Sequence, residues 1–309
     1  MESTHSRQLA HGVYAALATP RRQSLAEPDD AAFLDYLDIV SRAGVNGLVL
    51  FGSTGEFVHF DVDDRMHTLN LAMKRSRVPV LVNVSHSTLD GAVALADDAI
   101  NKGAAGVLVM PPYFYKYEDS DLEEFFFRLA RAVDGRIPVY LYNLPQYTNP
   151  ISPPLLERLL TSGLFAGIKD SSADWELFQH LAHLRGECKF QLLAGSEKIY
   201  LRQQLEHGTD GIVSGISAAL PELLLGVDRA VQTHNPERAR KLDTYVQEFL
   251  ERIDRLPATI GIKQAASSRG WHLEHFAIPP GSAQSSELTR FRDWLKEWIP
   301  MVIEECLRA

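Results

Sequence analysis

The sequence predicts an α/β fold, a (β/α)8 TIM barrel with a C-terminal helical extension. Three observations predict it. Eight short apolar runs recur along the 309 residues, and helical signals lie between them. The runs follow one another at roughly 20 to 35 residues, the step that parallel strands joined by helices require. Eight such steps without a long linker point to a closed barrel over residues 12–218, with residues 219–309 as helices packed on it.

The runs are residues 14–19, 47–51, 79–83, 106–110, 138–143, 166–169, 191–194 and 211–214. Each is apolar on both parities, as a strand buried on both faces must be. The main competitor is an open doubly wound sheet, which would want a GxGxxG turn after its first strand. Here the first run ends in Ala18-Thr19-Pro20, so a dinucleotide fold loses support. Between the runs, Leu89, Val93, Ala96 and Ile100 make a helical stripe before a stop at Gly103. Ser120 with Glu123 three residues on gives a capping box, and Leu122, Phe125, Phe126 and Leu129 make one helical face. Beyond the eighth run, Asn235-Pro236 opens a helix with proline at its first position. Ala239, Leu242, Val246, Phe249 and Ile253 continue it as a stripe.

Bulk properties bound the function. Hydrophobic residues make up 45% and charged residues 23%, ordinary for a globular chain. A formal net charge of -9 gives no electrostatic reason to bind nucleic acid or an anionic membrane, and leaves room for a local anion pocket. Cys188 and Cys306 lie far apart and form no CxxC pattern, which argues against a disulfide framework. Residues 1–11 are polar and lack the apolar centre of a signal peptide. No apolar run approaches the roughly 20 residues that span a bilayer. The expectation is a cytoplasmic protein. None of the eleven histidines makes a metal-binding pattern; His86, after the third run, fits a surface loop better than the barrel mouth.

Barrel active sites lie at the C-terminal strand ends, so the residues where each run stops carry the functional information. The second run stops in Gly52-Ser53-Thr54-Gly55-Glu56. Two glycines let backbone N–H groups approach a ligand, and two hydroxyls between them suit a carboxylate. A tight turn with a Ser/Thr cap on the next helix fits the same residues. The fifth run ends in Tyr140-Leu141-Tyr142-Asn143-Leu144-Pro145, with Tyr140 and Tyr142 on one side by strand alternation. Such a tyrosine relays protons or simply packs in the core. The sixth ends in Gly167-Ile168-Lys169-Asp170. A desolvated lysine there offers a free amine, which adds to a ketone and forms an imine that withdraws electrons. An ion pair with Asp170 or another nearby carboxylate is the alternative.

Together these stretches resemble the dihydrodipicolinate synthase / N-acetylneuraminate lyase family, the class I pyruvate-dependent aldolases. Met110-Pro111-Pro112-Tyr113, Leu193-Ala194-Gly195 and Gly211-Ile212-Val213-Ser214 join the motifs above in the family's order and spacing, from about Gly12 to the C-terminal helices. The resemblance implies a homotetramer, a dimer of dimers, acting on a small-molecule 2-oxo acid and an aldehyde. It implies that no metal or organic cofactor is used, because a covalent lysine imine does that work. Lys169 matches the Schiff-base lysine, and Tyr142 the proton-shuttling tyrosine. Ser53 and Thr54 match the pair that binds the 2-oxo acid carboxylate, with Ser53 also in the proton relay. Gly195 and Val213 match positions facing the imine.

Two departures stand out. Synthase members carry an arginine for the aldehyde's carboxylate where this chain has Tyr147, and a tyrosine lacks the charged fork of an arginine. They also lend an aromatic hydroxyl across a subunit interface, at a position that falls on Phe114 between Tyr113 and Tyr115. Both favour a branch that cleaves or dehydrates a 2-oxo 3-deoxy sugar acid or a related hydroxy-oxo acid. A genuine 4-hydroxy-tetrahydrodipicolinate synthase is the second expectation, and a barrel that senses 2-oxo acids without turnover is the third.

Overall fold

The computed structural model describes residues 9, 11–23, 27–257 and 259–308. Most of the polar N-terminal stretch, residues 1–8 and 10, lies outside the described residues. Eight strands stand in sequence order in a closed barrel: β1 (Val13–Ala16), β2 (Gly47–Leu50), β3 (Val80–Asn83), β4 (Gly106–Val109), β5 (Val139–Asn143), β6 (Gly167–Asp170), β7 (Gln191–Ala194) and β8 (Gly211–Ser214). Every residue in them is buried, which is why the runs had to be apolar on both parities. The helices between them are α1 (Asp30–Arg42), α2 (Val62–Arg75), α3 (Leu89–Lys102), α4 (Asp119–Val133), α5 (Pro153–Thr161), α6 (Trp175–Glu187) and α7 (Tyr200–Glu206). Four more follow β8: α8 (Pro221–Gln232), α9 (Pro236–Ile253), α10 (Ile260–Ser268) and α11 (Ser282–Leu307).

Packing divides the chain into two compact units, residues 1–12 with 79–213 and residues 13–78 with 214–309. In the first unit, β5, β6 and β7 pair in a parallel register that aligns Tyr140 with Gly167 and Gln191, and Tyr142 with Lys169 and Leu193. The lower row is a polar floor. The Tyr140 hydroxyl donates to Gln191 Oε1 at 2.7 Å, and the Leu9 N–H donates to the same oxygen at 2.9 Å. Gln191 Nε2 returns a bond to the Leu9 carbonyl at 2.9 Å. A β-carbon at 167 would meet the Gln191 backbone oxygen at 2.2 Å, so glycine is what lets β7 lie this close.

Two helix details differ from the sequence expectation. α4 starts at Asp119, and its capping box is Glu118 with Asp121; Ser120 lies inside the first turn. An acidic pair does the same work there, because negative charge suits a helix N-terminus. Leu122, Phe125, Phe126 and Leu129 are buried as the periodicity requires. In α3 the buried stripe is Ala92, Leu95, Ala96 and Ala99, one position round from the larger Leu89, Val93 and Ile100, which are half-buried. Small residues on the inner side let this helix lie close to what it covers. Gly103 ends it in the left-handed conformation expected of a stop.

In the second unit, the Tyr36 hydroxyl in α1 donates to the Ala218 carbonyl at 2.6 Å. Arg269 at the end of α10 grips the Glu222 carboxylate at 2.6 and 2.9 Å and the Ala219 carbonyl at 2.7 Å. Asn235 caps α9 ahead of Pro236, and Ala239, Leu242, Val246 and Phe249 are buried along it, with Leu250 in place of the half-buried Ile253. The Phe249 ring stacks on Trp298 of α11 at 5.6 Å. Among the described residues, no helix is long and apolar enough to cross a membrane.

The floor should be measurable. Gln191→Leu removes the acceptor shared by the Tyr140 hydroxyl and the Leu9 N–H and the donor to the Leu9 carbonyl, an expected cost of about 3 kcal/mol in urea unfolding, against about 1 kcal/mol for Tyr140→Phe. A Gln191→Leu protein as stable as the wild type would mean that the floor bonds contribute nothing.

Candidate active site

Lys169 sits one residue before the end of β6, and its side chain is only 3% exposed. Paired residues in a parallel register share a side, so Lys169 and Tyr142 point the same way. The Lys169 Nζ lies 3.8 Å from the centroid of the Tyr142 ring, whose negative face attracts a cation. Asp170, the carboxylate that competed for Lys169 in the sequence, follows it directly and so points to the opposite side of the strand. It accepts from Asn143 Nδ2 at 2.8 Å and from Ser172 Oγ at 2.8 Å. Burial pushes its carboxyl up, and these two donors partly offset that. Among the described residues, no carboxylate forms an ion pair with Lys169.

Gly195 follows β7 and touches the same place. Its N–H donates to the Asp170 carbonyl at 2.7 Å, and its carbonyl accepts from Ser171 Oγ at 2.9 Å. A β-carbon there would lie 3.0 Å from Lys169 Cε and 2.1 Å from Ser171 Oγ. The missing side chain is therefore what leaves the lysine its room. Val213 is buried one residue before the end of β8.

Ser53 and Thr54 belong to the second unit, where they are half-buried in the turn after β2. Phe51 and Glu56, at φ 55 each, bracket this turn in the left-handed region, a conformation that residues with a β-carbon hold only when their surroundings insist. Gly55 lies so close to Phe51 that a β-carbon would sit 2.8 Å from its backbone, and the Gly55 carbonyl accepts from Thr19 Oγ1 at 2.8 Å. Thr54 packs on Gly215, where a β-carbon would come within 3.1 Å of its hydroxyl oxygen. The alternative of a Ser/Thr helix cap is not realised. Asp61 caps α2, its side chain accepting from Asp64 N at 2.8 Å.

Tyr147 is 68% exposed in the turn after β5. Its neighbour Gln146, which the sequence did not single out, reaches back to the Ser171 and Ser172 carbonyls at 3.4 Å each. Phe114 is 87% exposed with φ 82, its ring edge-on to Tyr115 at 5.0 Å. Asn149 fixes that loop by donating to the Pro112 and Tyr115 carbonyls at 2.7 and 2.8 Å. His86 bonds to Thr88 Oγ1 at 2.9 Å, at the N-terminus of α3.

A sequence profile of the dihydrodipicolinate synthetase family matches residues 10–298. This chain belongs to that family. As a family member it is a lyase of the (β/α)8 type. The 4-hydroxy-tetrahydrodipicolinate synthase of Salinibacter ruber is 32% identical over 280 residues, covering 88% of this chain and 89% of the relative. The probable 2-dehydro-3-deoxy-D-pentonate aldolase YjhH of Escherichia coli is 29% identical over 276 residues, covering 84% and 87%. Among solved structures, that of YagE, an E. coli K12 prophage protein of the dihydrodipicolinic acid synthase family in complex with pyruvate, superposes with a TM-score of 0.85. It is 24% identical, covering 94% of this chain and 98% of that one, and speaks for the fold.

Gly195→Ala tests the room left for the lysine. A crystal structure of the variant should show Lys169 Cε pushed from the 3.0 Å clash toward an ordinary carbon–carbon separation of about 3.8 Å. A lysine left in place would show that Gly195 reserves nothing.

Proposed function

We propose that this chain is a Schiff-base-forming lyase in which Lys169 captures pyruvate or a 2-oxo 3-deoxy sugar acid. The observation that carries the reading is the lysine itself: a buried amine without a carboxylate partner among the described residues, 3.8 Å above the Tyr142 ring, in space that Gly195 keeps clear. In this reading the substrate carboxylate is held by the Ser53 and Thr54 hydroxyls and by N–H groups of their turn. The neutral amine attacks the 2-oxo carbon, and the carbinolamine loses water as Tyr142 gives and takes the proton, leaving a protonated imine. That imine accepts the electron pair of the C3–C4 bond as the Tyr142 oxygen takes the C4 hydroxyl proton, so the aldehyde leaves and an enamine remains. Protonation at C3 and hydrolysis release pyruvate and the free amine. Run backwards, the same steps condense pyruvate with an aldehyde; loss of a C3 proton from the uncleaved imine, followed by departure of the C4 hydroxyl as water, would make it a dehydratase instead. Because the imine is the electron sink, the reaction as proposed needs neither metal nor organic cofactor. Gly195 and Val213 flank the imine.

The substrate branch rests on Tyr147 and Phe114. Neither supplies the arginine fork or the hydroxyl that synthase members use, and the pentonate aldolase among the relatives supports a sugar-acid substrate. The Salinibacter relative supports the second reading, condensation with aspartate semialdehyde. We also propose the family's homotetramer, with the exposed aromatic loop around Phe114 and Tyr115 at an interface, and a cytoplasmic site of action, in keeping with two free thiols.

Borohydride reduction in the presence of pyruvate should add one reduced pyruvate to the protein mass, on Lys169. An unmodified mass, or an adduct elsewhere, would falsify the mechanism. Lys169→Ala should fold and lose all turnover. Tyr142→Phe should lower kcat by about 10²- to 10⁴-fold with little change in KM, measured on the best substrate from a panel of 2-oxo 3-deoxy sugar acids. If aspartate semialdehyde outperforms every sugar acid, the second reading replaces the first.

A further inference from the structure

We propose that Lys263 is a positioning residue for the Ser53–Thr54 turn, acting through Glu56. This rests on the reading that the turn binds the substrate carboxylate.

Lys263 lies in α10 with its side chain 0% exposed, and a lysine that deeply buried needs a partner. Its ammonium pairs with Glu56 and reaches the His275 carbonyl at 3.4 Å. Burial lowers the Lys263 pKa, and Glu56 pulls it back up. Glu56 is the last residue of the turn, buried, and one of the two residues held in the left-handed region. The same carboxylate lies 3.9 Å from the buried Arg21 Nε and 3.6 Å from His59 Nδ1. The Arg21 guanidinium in turn lies 4.1 Å over the Phe60 ring. Two buried cations thus converge on one carboxylate whose backbone has no preference of its own for that conformation.

This arrangement exceeds what attaching a helix requires. Glu56 closes the turn that Phe51 opens, and the two hydroxyls lie between them. Phe51 is held by packing: its ring meets Phe60 edge-on at 5.9 Å, with the Arg65 guanidinium 5.7 Å away. Glu56 is held by charge. α10 also packs on the short turn Ile216–Ala218 that follows Gly215, the residue on which Thr54 rests. One helix therefore supports Thr54 from two directions. With Lys263 neutralised, the Glu56 carboxylate turns toward water and its backbone relaxes to an ordinary conformation. Ser53 and Thr54 then lose their aim, while Lys169 and Tyr142, carried by other strands, keep theirs.

The test uses full-length protein carrying Lys263→Met, or Glu56→Gln with Lys263→Met, which removes both charges of the pair together, should the single variant fail to fold. Two quantities are read. The first is the pyruvate concentration that half-saturates borohydride trapping on Lys169. It should rise about tenfold or more with the maximal trapped fraction unchanged, the pattern of lost ground-state binding. The second is deuterium uptake in a peptide covering residues 51–57, which should quicken while uptake in β1 does not change. A variant with lower melting temperature, wild-type half-saturation and wild-type uptake over 51–57 overturns the proposal and leaves Lys263 as a stabilising pair only. If the wild type itself traps no pyruvate, the imine reading fails, and uptake over 51–57 alone decides the positioning role.

Discussion

The register of β5, β6 and β7 is the constraint from which the Lys169–Tyr142 corner follows. Parallel pairing sets residues of the same parity on the same side, so aligning Tyr142 with Lys169 also aligns Tyr140 with Gly167 and Gln191 two residues earlier. The two rows are one decision. A slip of one residue would turn both tyrosines and the lysine away together. The bond from Tyr140 to Gln191 spans β6 over the glycine that lies between them and pins the alignment from below. A stable floor and an aimed lysine are therefore products of the same strand pairing.

In the second unit the Ser53 and Thr54 hydroxyls stand on a turn, whereas Lys169 in the first stands on a strand. A strand fixes direction through its ladder of hydrogen bonds; a turn has no ladder. Here the direction is held at both ends by residues in an unfavoured backbone conformation, one gripped by aromatic packing and one by buried charge. Gly55 contributes by having no side chain where the chain folds back on Phe51.

Much of this was legible in the sequence, for identifiable reasons. Strands buried on both faces must be apolar on both parities, and that pattern located all eight, with the ends of several runs overrunning the ladder: residues 17–19 continue β1 as irregular chain. Lys169 was ambiguous because a carboxylate follows it directly; strand alternation, which separates adjacent side chains, resolves that ambiguity. The buried side of α3 differs from the periodic expectation because larger residues weigh more in such a pattern, whereas close packing there selects alanine. The link between Glu56 and Lys263 left no local trace. Each is an ordinary charged residue until the fold brings α10 to the turn, and no spacing rule reaches across that separation. Gln146 and Gly215 carry no local signal for the same reason.

Gly195 sets a boundary on how this lyase can diversify. Enzymes acquire new substrates by enlarging or recharging side chains around the reacting group, but every side chain at this position intrudes on Lys169 and Ser171 together. Variation is pushed outward to places such as the exposed Tyr147, where a change leaves the amine alone. One hydrogen atom in place of a methyl group thus separates what the protein can vary from what it must keep.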